Sequence, residues 1–304
     1  MHNGALKKWA LALTFWLALH TASLRAQIFT NDLPLQAVTT GTDPVDFEFR
    51  ADGTLIAKGN SGVGTLLSGD QGAGTRLLWF ANLSAFRAGT VSGTNWDLAN
   101  IGQYSIAAGG DTLASGGCST AFGAESSATG YSSTAMGIGS TASGYGSLAV
   151  GRFSTAVGQG SVAIGNDNTA SSYGAVAMGT SNSAYSSNSV AIGNDNWTPG
   201  GTAVAMGQSN IASGNNTAAF NANTSASAYD SFVIGSFNVG GGSRDTWVST
   251  DPLFEIGNGS GSGYGNPAAT GSSDALVVYK NGNAILQGTL QVAPGGDIPM
   301  YTGE

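Results

Sequence analysis

The sequence predicts an all-β chain built around a parallel β-solenoid with fourteen-residue coils, flanked by short β segments. Three observations predict it. Stepping seven residues at a time from Gly102 to Gly235 gives twenty positions, sixteen of them glycine, with Ser172, Ser186, Asn221 and Ala228 as exceptions. Two residues before each position stands alanine in seventeen cases of twenty, the departures being Asn100, Thr198 and Val233. The residue just before the glycine alternates with twice that period: Phe122, Met136, Val150, Ile164, Met178, Ile192, Met206, Phe220 and Ile234 on one half, mostly Thr129, Ser143, Ser171, Ser213 and Ser227 on the other. A fixed period of this kind marks a repeat architecture in which each coil buries its apolar face only against its neighbours.

Residues 1–26 read as a secretory signal: Lys7 and Lys8 precede an apolar run from Trp9 to Leu19, too short to span a membrane, and Ala26 ends the segment with a residue suited to cleavage. Residues 27–99 change pattern. Phe47 and Phe49 alternate with polar residues, Asp52-Gly53 marks a turn, and Leu77 to Phe80 form a compact apolar run. These are short strands, expected to cap the open first coil, whose unpaired backbone would otherwise invite edge pairing.

Residues 100–242 hold the repeats. Side chains alternate faces along a strand, so in Ser161-Val162-Ala163-Ile164-Gly165 the alanine points opposite to Val162 and Ile164. Alanine recurs on both halves of the coil and the bulky pair on only one. The preferred reading is two short sheets facing each other across an interior that admits only methyl groups. The outer face of one sheet is then apolar, and that of the other carries hydroxyls, as at Thr141/Ser143, Thr169/Ser171 and Ser225/Ser227. The inverse register, with Val and Ile inside, would place hydroxyls in the interior and give alanine no reason to lie outside. Glycine suits the two turns each coil must make. The apolar stripe includes Val150, Val162, Ile164, Val176, Met178, Val190, Ile192, Val204 and Met206; ten coils at about 4.8 Å make it roughly 45 Å long. Continuous apolar surface of that size marks an interface, and identical chains around a common axis would bury it in a closed ring. A homo-oligomer is therefore expected.

Residues 243–304 comprise a glycine and serine linker around Gly257 to Gly265, and a hairpin in which Leu276 to Lys280 and Ala284 to Gln287 flank Asn281-Gly282. The last residues, Val292 to Glu304, carry no element signal.

Composition narrows the function. Only 9% of residues are charged, against 48 glycines in 304 residues, yet the apolar residues are periodic, which separates the chain from disordered sequence. The signal contains Lys7, Lys8 and Arg25 and no acid; without it, seven basic stand against eighteen acidic residues, a net of −11. Nucleic acid is not an expected partner. Both histidines, His2 and His20, lie in the signal, and Cys118 is the one cysteine, so neither an intrachain disulfide nor a thiol-rich metal site is available.

Asn188-Ser189-Val190-Ala191-Ile192-Gly193, with its near copy at Gly160 to Gly165, resembles the head repeat of YadA-like trimeric autotransporter adhesins of bacterial surfaces. The resemblance covers nearly half the chain. It implies a left-handed parallel β-roll, assembly as a homotrimer, display at a bacterial cell surface or outer membrane, and binding of an extracellular protein or glycan ligand, a cell or an abiotic surface. This chain departs from the family in two ways. Asn168 and Asn196 stand where a serine often follows the motif. After Gly242 there are neither sustained heptads nor a series of roughly ten-residue amphipathic strands; instead Ser273 to Gln287 resembles the β segments of trimeric tail fibres, whose structural role is the alternative reading.

Candidate sites are sparse. Asn166-Asp167-Asn168 and Asn194-Asp195-Asn196 offer oxygen ligands but lack the nonapeptide spacing of calcium-binding β-helices, and read as turns. Cys118 reads as a small packed residue. Tyr131, Tyr145, Tyr173, Tyr185 and Trp197 lie near the turns or the hydroxyl-bearing sheet, where they could contact protein or stack on sugars. The repeats hold one basic residue, Arg152, no histidine, and acids scattered at Asp111, Glu125, Asp167, Asp195 and Asp230, so no acid/base pair is indicated and neither an enzyme nor a cofactor is expected. A polysaccharide-acting enzyme would need such a cluster. An ice-binding solenoid would need an unbroken threonine/serine ladder, which Val157, Tyr185, Trp197 and Pro199 interrupt. The expected function is adhesion through repetitive contacts.

Overall fold

The structure is a computed structural model that describes residues 71–261 and 271–288, together with the backbone of two strands, Phe47–Phe49 and Leu55–Ala57. These two strands pair antiparallel, Phe47 opposite Ala57, within a compact unit that ends at Gly59; a second unit begins at Asn60. The signal segment 1–26, the Asp52-Gly53 turn, residues 262–265 of the glycine and serine linker and the segment from Val292 lie outside the described residues.

Residues 106–236 form a parallel β-solenoid, and its coil follows directly from the alternation in the sequence. Each coil has a five-residue strand, such as Leu148–Arg152 or Val162–Asn166, and a two-residue strand, such as Thr155–Ala156 or Thr169–Ala170. Equivalent residues of successive coils stack without slippage: Leu148, Val162 and Val176 pair in one file, and Ala149, Ala163 and Ala177 in the next. The short strands stack in a separate sheet, Thr141 on Thr155 on Thr169.

The alanines face inward. Ala107, Ala121, Ala135, Ala149, Ala163 and Ala177 from the long strands, and Ala114, Ala128, Ala142, Ala156 and Ala170 from the short ones, have no exposed surface. The inverse register is excluded. A second buried file lies at the corners, which the sequence reading did not assign. Ser126, Ser140 and Ser154 turn inward there, and each hydroxyl donates to the carbonyl of a glycine in the next coil, Gly137, Gly151 and Gly165 respectively. Asn168, Asn182, Asn196 and Asn210 continue that file, so Asn168 and Asn196 are interior residues of the coil rather than surface turn residues. Asn182 Nδ2 donates to Asn168 Oδ1, Met178 O and Gly193 O, while Asn182 Oδ1 accepts from the backbone and side-chain nitrogens of Asn196. Burial of these polar groups is tolerated because every one of those atoms is bonded.

The periodic glycines do something other than turn the chain. The left-handed corner positions belong to other residues, among them Asp167 at φ 54° and Asn188 at φ 55°. Gly165, inside a long strand at φ 121°, is required by close approach as well as by backbone: a Cβ there would meet the Gly179 carbonyl oxygen at 2.0 Å. Gly144, on the short side, has ordinary φ but the same crowding, with Gly158 O at 2.0 Å from a built Cβ.

Both ends of the long-strand sheet are continued by residues outside the repeat count. At the first end Ala85–Val91 adds parallel to Ile106–Gly110, and Gly74–Phe80 adds antiparallel outside it. Arg87 takes the inward position opposite Ala107 and is fully buried, donating to Phe86 O, Ser105 O, Ser105 Oγ and Ala114 O. Burial pulls its guanidinium down to about 10. The fully buried Trp96 donates Nε1–H to Thr112 O beside it. At the other end Pro252–Asn258 adds parallel to Phe232–Ser236, and Asp274–Tyr279 and Ala284–Leu286 follow antiparallel around Asn281-Gly282, as the Asn-Gly pair predicts. Glu255 takes the inward position opposite Val233. The step from Phe232 to its partner Phe254 is longer than the regular coil, because a loop replaces the short strand. Asn238 in that loop bonds both backbone groups of Ser225 and buries this serine, which the sequence reading placed outside.

Candidate interaction surfaces

The outward face of the long-strand sheet carries the predicted interface residues in two files. Val162, Val176, Val190 and Val204 stand in one; Val150, Ile164, Met178, Ile192 and Met206 stand in the other. Each side chain leans on its equivalents one coil above and below, so most are half-buried in the single chain, and Met206 is 37% exposed.

The apolar surface is longer than the repeats. Beyond Leu148 the first file passes through Thr134 and Thr120, then Ile106 and Phe86 to Trp79, and the second through Met136, Phe122, Ala108 and Ala88 to Leu77. Leu77 and Trp79 are 71% and 49% exposed. At the other end the files run through Phe232, Phe254 and Val278, and through Ile234, Ile256, Leu276 and Leu286. Phe220, Phe232 and Phe254 pack ring on ring at 5.4 and 5.9 Å. Fifteen strands share this face, about 67 Å at 4.8 Å per interval. Residues from both flanks thus extend the surface that the sequence reading confined to the coils.

The five candidate ligand-contacting aromatics are all exposed, but they do not form one cluster. Tyr131, Tyr145 and Tyr173 occupy the same corner position in three coils, with Gln159 between the last two. Tyr131 and Tyr145 stack on each other, centroids 5.4 Å apart and planes 11° from parallel, so each turns a face to the other. Tyr185 and Trp197 lie elsewhere, in adjacent coils on the outer face of the short-strand sheet, where Trp197 pairs with Ser183. Cys118 is exposed rather than packed, because its corner is left-handed, at φ 57°, and turns the side chain outward; its thiol donates to the Tyr131 hydroxyl at 3.7 Å. That bond and the neighbouring thiol's charge push the Tyr131 hydroxyl up.

The acids remain scattered over the surface. Asp111 and Glu125 border a shallow cleft with Ser92, Asn95 and Ser127. Asp111 Oδ1 accepts from both N and Oγ of Ser92, which holds its carboxyl below the ordinary range. One pair of carboxyls escaped the sequence reading: Glu255 and Asp274, 2% and 3% exposed, lie together under the terminal strands. Burial and then the charge of Asp274 push Glu255 up to about 7, against the bonds from Asn238 and the Gly240 backbone; burial likewise raises Asp274. The signal was present in the sequence. Phe254-Glu255-Ile256-Gly257 repeats the Val162-Ala163-Ile164-Gly165 pattern with an acid at the alanine position, and Phe86-Arg87-Ala88-Gly89 does so with a base. Among the described residues no group of three or more metal-ligating side chains is present, and no helix is long and apolar enough to cross a membrane.

No curated protein matches the chain. A family model does: the YadA head domain repeat (2 copies) matches residues 101–126, 128–154, 156–181, 170–196 and 199–220. With alanine inside, Val and Ile outside and a parallel coil of about 14 residues, the coils between residues 101 and 220 are similar to YadA head repeats in both sequence and fold.

Proposed function

We propose that this chain is a non-catalytic, surface-displayed adhesin head that acts as a homotrimer. The observation that carries the reading is the largely apolar outer face of a fifteen-stranded sheet, which no other part of the described chain covers. Three such faces, each about 17 Å wide from five-residue strands, close around a threefold axis as the walls of a prism and bury the files of Val162 and Ile164 in its centre. The match to YadA head repeats supports adhesin-like work in general, and the signal-like segment 1–26 supports export to a bacterial surface. In that arrangement the short-strand sheets face outward, each presenting its serines and threonines with Tyr185 and Trp197, to an extracellular protein or glycan. Three copies of a weakly binding repetitive surface gain avidity without any strong single site.

The test is sedimentation of the purified chain at low micromolar concentration, beside Ile164→Asp. A trimer for the wild type and a monomer with unchanged β-sheet circular dichroism for I164D are expected, with retention on immobilised matrix proteins or glycans lost in the monomer. A wild-type chain that sediments as a folded monomer refutes the reading.

A further inference from the structure

The apolar face poses a problem of register. Val176/Met178, Val190/Ile192 and Val204/Met206 present nearly the same profile in successive coils, so two copies could slide by one coil, about 4.8 Å, and bury almost the same surface. A repetitive interface specifies its alignment only where the repetition is broken, as a single unlike residue does in a coiled coil.

The face itself varies at Thr120/Phe122 and Ala218/Phe220, and its edges change at two further coils. Thr134–Ile138 and Leu148–Arg152, neighbours in the sheet, are both flanked at each end by exposed large apolar side chains. Tyr131 and Tyr145 stand where these strands begin; Ile138 and Phe153 stand where they end, 52% and 44% exposed. The Ile138 position holds Asn166, Thr180 and Asn194 in later coils, and the Phe153 corner holds Asp167 and Ser181. Phe153 is held there at φ 50°, an unfavourable conformation for a bulky residue, with its ring over Gly139 and the Arg152 guanidinium 4.6 Å from its centroid. Arg152 is the one basic residue of the repeats. Nothing in the fold of a single chain requires these three side chains.

Any rotation axis parallel to the stack of coils keeps all copies at one height and brings the leaving edge of each long-strand sheet to the entering edge of the next. We infer that Ile138, Arg152 and Phe153 of each subunit seat against Tyr131 and Tyr145 of the next, and that this contact sets the height at which copies assemble. The chemistry is complementary. The stacked tyrosines spend their faces on each other and present edges and hydroxyl oxygens, which suit an apolar ring and a guanidinium donor.

The inference rests on the homotrimer reading, and the test separates the two. A photo-crosslinking phenylalanine analogue replaces Phe153 in the full chain; after irradiation the linked peptides are mapped and the mass of the assembly is measured. Crosslinks concentrated on the partner's Tyr131 to Tyr145 segment are expected. A trimer whose crosslinks fall on other coils, or are absent, overturns the register contact and leaves the trimer standing, whereas a monomer overturns both. In the same background Tyr131→Ser with Tyr145→Ser should keep the β-sheet spectrum and spread the crosslinks over the neighbouring coils. Crosslinks unchanged in that double variant would show that the tyrosines do not set the height, and would overturn the inference.

Discussion

Glu255 sits where every repeat places a methyl group, and replacing it by glutamine tests whether a buried carboxyl closes the end of the core. Its side chain is 2% exposed, accepts from Asn238 Nδ2 and lies beside Asp274. Its pKa rises from 4.5 to about 7. The folded chain therefore holds this proton more tightly than the unfolded chain, so the contribution to stability is complete below about pH 4.5 and is lost as pH rises to about 7. The difference corresponds to roughly 3 kcal/mol at most. Asp274 is raised too and acts in the same direction. Because a solenoid can open from one end, the assay is hydrogen exchange of the amides in Pro252–Asn258, corrected for intrinsic rates, at pH 5 and pH 8. The wild type should lose protection of that strand by up to about two orders of magnitude between the two, the factor equivalent to about 3 kcal/mol. Glu255→Gln should lose far less and be the better protected protein at pH 8. Protection in the wild type that stays level or grows from pH 5 to pH 8 would refute the placement of a strained carboxyl at this end.

Two further substitutions test the middle of the solenoid. Gly165→Ala should cost about 3 kcal/mol or more, since its Cβ meets Gly179 O at 2.0 Å and the residue is held at φ 121°; a small change in the denaturation midpoint would argue against strands packed this closely. Asn182→Ala removes the donor to three acceptors and leaves the Asn196 backbone N–H without its acceptor, a loss of about 3 kcal/mol. Asn182→Ser should recover about half of that, because Ser154 serves the same corner through a single bond to Gly165 O; equal losses for both variants would show that the ladder adds nothing beyond filling space.

The repeat was legible because the coil imposes its own period on every residue that faces inward. Ala163 and Gly165 each meet one constraint that recurs unchanged a coil away, so counting alone exposes the parallel stack and the inside and outside of Val162 and Ile164. Corner residues were harder. Ser154 and Asn168 are both buried at one register position, yet a serine and an asparagine look like ordinary turn residues in sequence, and only the carbonyls aimed inward from the next coil show why they are there. Cys118 was misjudged for the opposite reason: burial statistics for cysteine say nothing of a left-handed corner that points its side chain to solvent. Arg87 and Glu255 fall outside the seven-residue count, since the chain enters and leaves the solenoid through connections of irregular length. Their pattern is local, and counting by sevens misses it. The aromatics do not share one location: counting by fourteen puts Tyr131, Tyr145 and Tyr173 at one corner and leaves Tyr185 and Trp197 off that register, but only the structure shows that Tyr131 and Tyr145 stack.

Because Arg87 and Glu255 close the two ends from outside the periodic segment, every coil between them meets only others like itself. Duplication or deletion of a single coil would leave both closures chemically intact and change the stature of the molecule by one strand spacing, about 4.8 Å. Solenoid length is therefore a trait this gene can vary in small, nearly neutral increments, in any coil except the two whose edges differ from the rest.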